Sequence, residues 1–293
     1  MKQLNTLKNM IEVMTVAQSG KLSMDDFLQV SAFIEEHYGI QLPITKLKMV
    51  EARLQKRLKA LNVNSFTTYF DYVFSESGFA EYKNMIDLIT TNKTDFFRET
   101  AHFEFLTQEV FPEILKRKAA DDPIRIWSAA SSSGEEVYST LITLEEFFLK
   151  TFKKHPYKIL GTDLSEQVLK QAVTAVYDED RIEALPLHLK KRYFQRNKNK
   201  DNALARIKPD YLKHVEFKRL NLLKAFVGIE HNYDIIFCRN VLIYFNRVVQ
   251  ETVITKLVAH LSPGGYLLIG HAESITNMKL PLAQVRPTMY KKL

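Results

Sequence analysis

The 293-residue chain has one cysteine, Cys238, and only nine glycines. A lone cysteine excludes an internal disulfide and leaves no thiolate cluster for a structural metal. The eight histidines are scattered without paired ligand spacing, so no metal is expected. Long apolar runs are missing too. Gln3, Asn5, Asn9, Glu12 and Gln18 break up the first segment, and no later stretch reaches membrane-spanning length. These absences point to a cytoplasmic protein with no direct membrane insertion. The composition, 46% hydrophobic and 26% charged, is that of a globular chain long enough for one large or two modest domains.

The formal charge of +7 is unevenly spread. Residues 1–90 carry ten basic and ten acidic side chains, whereas residues 181–224 carry thirteen basic against four acidic. An acidic partner or a solvated basic face each accounts for that segment.

The front of the chain reads as helical. "SMDDFLQVSAFIEEHYGI" opens on a capping box, Ser23 with Asp26, and stops near Gly39. "TKLKMVEARLQKRLKALN" places Leu47, Val50, Leu54, Leu58 and Leu61 on one stripe and Lys46, Lys48, Arg53, Lys56, Arg57 and Lys59 on the remaining arc. Ser65 and Ser77 precede two further helical runs. An all-α domain is therefore expected over 1–90, with 1–21 as an extra helix, followed by a second domain over 91–293.

Beyond residue 90, short apolar runs alternate with helices, the pattern of a parallel sheet covered on both faces. The expected strands are Arg125–Ser128, Lys158–Thr162, Val215–Arg219, Tyr233–Cys238, Tyr266–Ile269 and Met289–Leu293. The interval from about 182 to 212 breaks the rhythm and reads as a small inserted β subdomain.

Glycine is also scarce where a nucleotide-binding sheet most needs it. "IRIWSAASSSGEEVYS", Ile124 to Ser139, is a strand, a turn and a helix start containing only Gly134. A dinucleotide fingerprint needs three glycines to bring backbone against a pyrophosphate, and Glu135 with Glu136 would repel one. A ligand with a cationic amino group and no phosphate fits better, and S-adenosylmethionine is such a ligand. Asp163, within "GTDLS" at the second strand's end, stands where an acid takes ribose hydroxyls; it is equally a helix cap. After the fourth strand "CRNVLIYF" has neither the Pro-Pro-Tyr/Phe of base N-methyltransferases nor a Pro-Cys nucleophile.

Six ordered segments resemble one family: "TTNKTDFFRE" (Thr90–Glu99), "WSAASSSGEEVYS", "GTDLSEQVL", "RLNLL", "YDIIFCRNVLIYF" (Tyr233–Phe245) and "LSPGGYLLIGHAES" (Leu261–Ser274). Together they are similar to the chemotaxis receptor methyltransferases, the CheR family, over about residues 22–293. The resemblance implies an α/β, Rossmann-like S-adenosylmethionine-dependent methyltransferase sheet behind an N-terminal all-α domain. The implied reaction is esterification of specific glutamates on the cytoplasmic helical domain of membrane chemoreceptors, with S-adenosyl-L-homocysteine as product. Cofactor contacts carry over to Asn92, Thr94, Arg98, one of Glu135 and Glu136 with Glu136 favoured, Asp163, Asn221, Leu222, Arg239 and Asn240. Val137 departs from the family's usual Pro, and Ser131 stands where Cys is frequent.

A glutamate acceptor is ionised at neutral pH and needs no general base, in keeping with the missing Ser/His/Asp or Cys/His arrangement. Arg98 can pair with that carboxylate and Tyr244 can orient it by a hydrogen bond, so both are assigned to the acceptor side. Lys46, Arg53 and Arg57, spaced by seven and four, are expected to lie along an acidic receptor helix. No aromatics interleave them, so nucleic acid is not expected. In family members the inserted β element can offer an edge to a receptor tail by strand addition; here Asn197 and Asn199 occupy its turn.

Overall fold

The structure, a computed structural model, describes residues 20–197 and 203–293. The expected helix over 1–21 therefore lies outside the described residues, apart from Gly20 and Lys21, as does Asn199. Contacts divide the chain after Thr91.

The first unit contains α1 (Met24–Tyr38), α2 (Leu47–Leu61), α3 (Phe66–Val73) and α4 (Phe79–Ile89). Ser23 caps α1, its hydroxyl accepting the Asp26 amide, and Gly39 ends the helix at φ 70°. That left-handed conformation costs an L side chain energy and glycine almost none. Ser65 caps α3 in the same way. Phe27, Val30 and Ile34 of α1, Val50, Leu54 and Leu58 of α2, and Phe66, Tyr69 and Phe70 of α3 are all essentially inaccessible to solvent. Each such aliphatic or phenyl side chain contributes about 1.5–3 kcal/mol relative to exposure.

Two members of the basic arc on α2 turn inward. Arg53 Nη1 donates to the carbonyls of Leu88, Ile89 and Thr90 at 3.1, 2.9 and 2.9 Å, closing the C-terminal end of α4. Arg57 pairs bidentately with the buried Glu81 of α4 at 2.7 and 2.6 Å. Tyr69 and Asn84 donate to the same carboxylate at 2.9 and 3.0 Å. Burial raises the Glu81 carboxyl, but the bonds from Arg57, Asn84 and Tyr69 outweigh it and hold it below the usual range. Both of these arginines, expected to lie along a partner helix, thus have acceptors within their own unit, backbone carbonyls for Arg53 and a carboxylate for Arg57. Lys46 of the same trio is exposed, as are Lys48, Lys56 and Lys59.

The second unit is built on a seven-stranded sheet ordered β6-β2-β1-β7-β8-β10-β9. Its strands are β1 (Ile124–Ala129), β2 (Tyr157–Asp163), β6 (Val215–Arg219), β7 (Tyr233–Cys238), β8 (Leu261–Ile269), β9 (Leu282–Arg286) and β10 (Met289–Lys292). β1 is parallel to β2 and β7, β2 to β6, and β7 to β8, whereas β10 is antiparallel to both β8 and β9. The sheet is thus mixed at one edge. No helix separates β9 from β10, so the chain can only turn back on itself, through Thr288 at φ 62°.

Every residue of β7 is buried, and β1 and β2 are buried at nearly every position, as a strand covered on both faces requires. The covering helices include α7 (Glu135–Thr151) after β1, α8 (Glu166–Thr174) after β2 and α11 (Arg247–His260) before β8. Ahead of β1, α5 (Ala101–Phe105) continues through a π turn over Leu106–Val110 into α6 (Phe111–Arg117). A smaller antiparallel sheet, ordered β3-β5-β4, comprises β3 (Val176–Asp178), β4 (Phe194–Arg196) and β5 (Leu204–Ile207). It begins ahead of the expected boundary near 182, because β3 follows directly on α8. The short helices α9 (Leu187–Tyr193) and α10 (Pro209–Leu212) flank it.

Strand order reverses between β1 and β7: from β1 the chain proceeds outward through β2 and β6, then returns to build β7 and β8 on the other side. An open sheet of this kind has its crevice beyond the carboxyl ends of those two strands.

Candidate active site

The turn after β1 holds three residues in left-handed conformations, Ala130 at φ 70°, Ser132 at φ 50° and Gly134 at φ 93°. Two of the three carry side chains, so the strain that glycine would relieve is retained and must be held by neighbours. Asp163 is one of them. Its Oδ2 accepts the Ser132 amide at 2.8 Å and its Oδ1 the Ser165 amide at 3.0 Å. The cap of α8 is Ser165, whose hydroxyl accepts the Val168 amide, so Asp163 stands ahead of the cap. At Gly134 a Cβ would lie 3.0 Å from Ala172 Cβ and 3.1 Å from Tyr177 Oη, closer than ordinary contact, and the φ of 93° itself disfavours an L side chain.

The two acids opening α7 have different surroundings. Glu135 is fully buried, with Ser133 Oγ donating to Oε2 at 2.7 Å and Arg181 to Oε1. Arg181 also donates to the Thr94 carbonyl, and Ser132 Oγ donates to the Asn92 carbonyl at 2.8 Å. Asn92 and Thr94 are thereby fastened beside the turn through their backbone. Glu136 keeps 12% of its side chain exposed and accepts from Ser128 Oγ at 2.7 Å and Arg239 Nη1 at 2.9 Å. Burial pushes its carboxyl above the usual range, against the opposing pull of Arg239 and Ser128.

Arg239, just past β7, has a side chain 2% exposed that links three segments. Besides Glu136 it donates to Glu99 Oε2, from Nη2 at 3.0 Å and Nε at 3.3 Å, and to the Arg98 carbonyl. Asn240, at φ 58°, donates from Nδ2 to Glu99 Oε1 at 3.2 Å. Burial raises Glu99, but the Arg239 charge, the His271 amide and Asn240 prevail and hold it below the usual carboxylate range. His102 is fully buried beside this group; burial and the Arg239 charge push it down to about 3, so it is neutral.

Glu99 and Glu273 do not stand out in the sequence. Glu273 is buried and accepts the amides of Gly270 at 2.6 Å, Asn240 at 3.0 Å and Leu242 at 2.7 Å. It fastens the loop after β8 to the loop after β7. The only available signal was their place inside the quoted motifs, since a single acid has no spacing.

Asn221 forms a turn after β6, its Oδ1 accepting the Leu223 amide at 2.9 Å, and the buried Leu222 lends its carbonyl to Lys256. Arg98 Nη1 donates to the Lys93 carbonyl at 3.1 Å. Among the described residues Arg98 has no carboxylate partner and the Tyr244 hydroxyl has no hydrogen-bond partner. Tyr244 lies in the 3-10 turn Leu242–Tyr244, whose leading amide Glu273 holds. Thus Arg98, Glu136, Arg239 and Asn240 belong to one hydrogen-bonded group around Glu99, Asn92 is joined to Asp163 through Ser132, and Thr94 to Glu135 through Arg181. Asn221 and Leu222 stand at the neighbouring strand end, beside β2.

The donor set discriminates between ligands. The Ser132 amide is spent on Asp163 and the Gly134 amide on the Ser131 carbonyl, so the turn presents no row of amides to an anion. Acids stand at the ends of β2 and β1 instead, suited to hydroxyls and a cationic group. S-adenosylmethionine fits such a set.

Comparison with known proteins agrees with this geometry. Residues 92–290 match the CheR methyltransferase SAM-binding domain and residues 25–90 the CheR methyltransferase all-alpha domain. A chemotaxis protein methyltransferase of Borreliella burgdorferi is 36% identical over 92% of this chain and 95% of its own. Chemotaxis protein methyltransferase 2 of Pseudomonas aeruginosa is 38% identical over 91% and 92%, and the Salmonella typhimurium chemotaxis protein methyltransferase 32% over 95% and 93%. The switch-point crevice, its acids and these likenesses agree: the chain belongs to the CheR family of S-adenosylmethionine-dependent chemotaxis methyltransferases.

Proposed function

We propose that the chain methylates glutamate side chains in the helical cytoplasmic region of chemoreceptors, forming methyl esters, and that it acts in the cytoplasm. The bound cofactor would supply an electrophilic methyl group on a sulfonium. The observation that carries the acceptor assignment is Arg98, a guanidinium that no protein carboxylate neutralises among the described residues, while Arg239 and Arg181 are both paired. An anionic acceptor supplies the missing partner. Tyr244 offers a neutral donor, which orients a carboxylate without quenching it as a second cation would. His102, neutral and engaged with Thr288, is not needed as a base, because the acceptor is already ionised.

In the proposed cofactor site Asp163 takes the ribose and Glu136 the cationic methionine end. Support for choosing Glu136 is exposure: its side chain keeps 12% of its surface open, whereas that of Glu135 is fully buried. Asn221 and Leu222 border the adenosine side, and Asn92, Thr94 and Asn240 close the crevice. For receptor docking, Lys46 with the exposed Lys48, Lys56 and Lys59 replaces the inward-turned Arg53 and Arg57 as the basic face meeting acidic helices.

The test is tritiated-methyl transfer to membranes containing chemoreceptors, followed by alkaline hydrolysis. Volatile methanol is expected. Base-stable label excludes a carboxyl ester, and cofactor binding without any transfer favours a non-catalytic signalling module.

A further inference from the structure

We propose that Glu99, His102 and His271 form a binding site for a divalent transition-metal ion of the zinc class, ligated through Oε2, Nδ1 and Nε2 respectively. The proposal stands independently of the acceptor assignment. It starts from the tautomer of His102. Thr288 Oγ1 donates to the Pro287 carbonyl at 2.6 Å, so its contact with His102 Nε2 at 2.9 Å is one in which the ring nitrogen donates. Nε2 therefore carries the proton and Nδ1 presents a bare lone pair.

That lone pair has no hydrogen-bond partner, although the residue is 0% exposed. A buried acceptor left unmatched costs about 1–3 kcal/mol. It faces Glu99 Oε2 at 3.6 Å, another acceptor, and His271 Nε2 stands 3.9 Å from the same oxygen. Three lone-pair donors from three side chains thus lie within 4.8 Å of one another. Of the three, His102 Nδ1 is the one without any donor, and a dication would serve it together with Glu99 Oε2 and, in the matching tautomer, His271 Nε2.

Two imidazoles and one carboxylate form a donor set that suits zinc with one position open. The partner of His102 fits as well, because a metal-bound imidazole ordinarily donates its other N–H to an oxygen, here Thr288. His271, 56% exposed in its side chain, gives access from solvent and the freedom to draw in to bonding distance. The neighbouring carboxyls are Glu99, Glu136 and Glu273, and Arg239 is in contact with the first two. Arg239 is the competitor, since it holds the same Glu99 oxygen at 3.0 Å. Metal occupancy would therefore loosen the link from Glu99 through Arg239 to Glu136 and lower methyl transfer.

The probe is Co2+, titrated into the chelator-stripped full-length protein and followed by its visible ligand-field absorption, with Zn2+ competing against a chromophoric chelator. One saturable equivalent is expected in the wild type. Loss of even an outer-shell partner weakens metal sites about 10–100-fold, so His271→Ala is expected to weaken binding by at least about tenfold. His231→Ala, whose ring stacks on His260 with centroids 4.1 Å apart and takes no part in the Glu99–His102–His271 group, is expected to leave binding unchanged. His271→Ala removes an exposed ring and avoids the folding risk of altering His102. Transfer activity is expected to fall with Zn2+ occupancy in the wild type and return on chelation. No saturable binding, or binding as tight in His271→Ala as in the wild type, overturns the proposal.

Discussion

The carboxylate of Asp163 holds the turn that follows the first strand of the sheet: its Oδ2 accepts the Ser132 amide at 2.8 Å, across the parallel pair β1–β2. Ser132 is one of the residues held in a left-handed conformation, so an acid suited to ribose hydroxyls also stabilises a strained backbone.

Asp163→Ala is expected to weaken cofactor binding more than tenfold by calorimetry, since hydrogen bonds to a charged group are worth about 1.5–3 kcal/mol each. Asp163→Asn retains one acceptor and is expected to fall in between. Unchanged affinity in Asp163→Ala would reduce the residue to a support of the turn.

The paired acids opening α7 separate under conservative substitution. Glu136→Gln keeps its contact with Ser128 but loses its charge, so the KM for the cofactor is expected to rise by about tenfold, or roughly 1.4 kcal/mol, with little change in Tm. Arg239 keeps Glu99 at 3.0 Å after that change, whereas Glu135→Gln leaves Arg181 only the longer 3.5 Å contact with the exposed Asp95 and puts a neutral amide in a fully buried position. Glu135→Gln is expected to lower stability by up to about 3 kcal/mol in denaturant unfolding, the lower end for a broken buried pair. A larger cofactor effect from Glu135→Gln than from Glu136→Gln would reverse the assignment.

Arg57→Ala strands the buried Glu81 carboxylate along with its Tyr69 and Asn84 contacts. Destabilisation of the helical unit by about 3 kcal/mol is expected. If Arg57 served only to bind a partner, chemical denaturation would show no change.

His102 makes stability depend on pH. Its folded-state value of about 3 lies below the unfolded 6.5, so between those limits the unfolded chain binds the extra proton. Stability is full above pH 6.5 and falls as the pH drops, by up to about 1.4 kcal/mol per unit from this group. In chelator-containing buffer, His102→Gln is expected to flatten that part of the profile relative to wild type; an identical slope in both would rule His102 out as its source.

The strands that read most directly from the sequence are Val215–Arg219 and Tyr233–Cys238, the latter apolar at every position but Asp234, which is buried and paired with Lys118, because both faces are covered. β9 was not legible. "LAQVR" is an edge strand without an apolar run, and its pairing depends on a turn that local composition does not announce. The basic arc of α2 was visible, but helical spacing shows only which side chains share a side. It does not reveal that α4 brings Glu81 and its terminal carbonyls to meet two of them. The acids of the crevice were legible where strand ends and a helix start gave them an address. Glu99 and Glu273 had none, because their partners come from remote parts of the chain.

Glu273 has a consequence for how such a crevice can diversify. By gathering amides from the segments after β7 and β8, it makes two loops behave as a single part. An insertion in one displaces the amides the other depends on, so the rim bearing Tyr244 cannot be reshaped piecemeal. Transplanting both loops together with Glu273 is the smallest graft that preserves the latch, whereas exchanging either alone leaves buried amides without an acceptor.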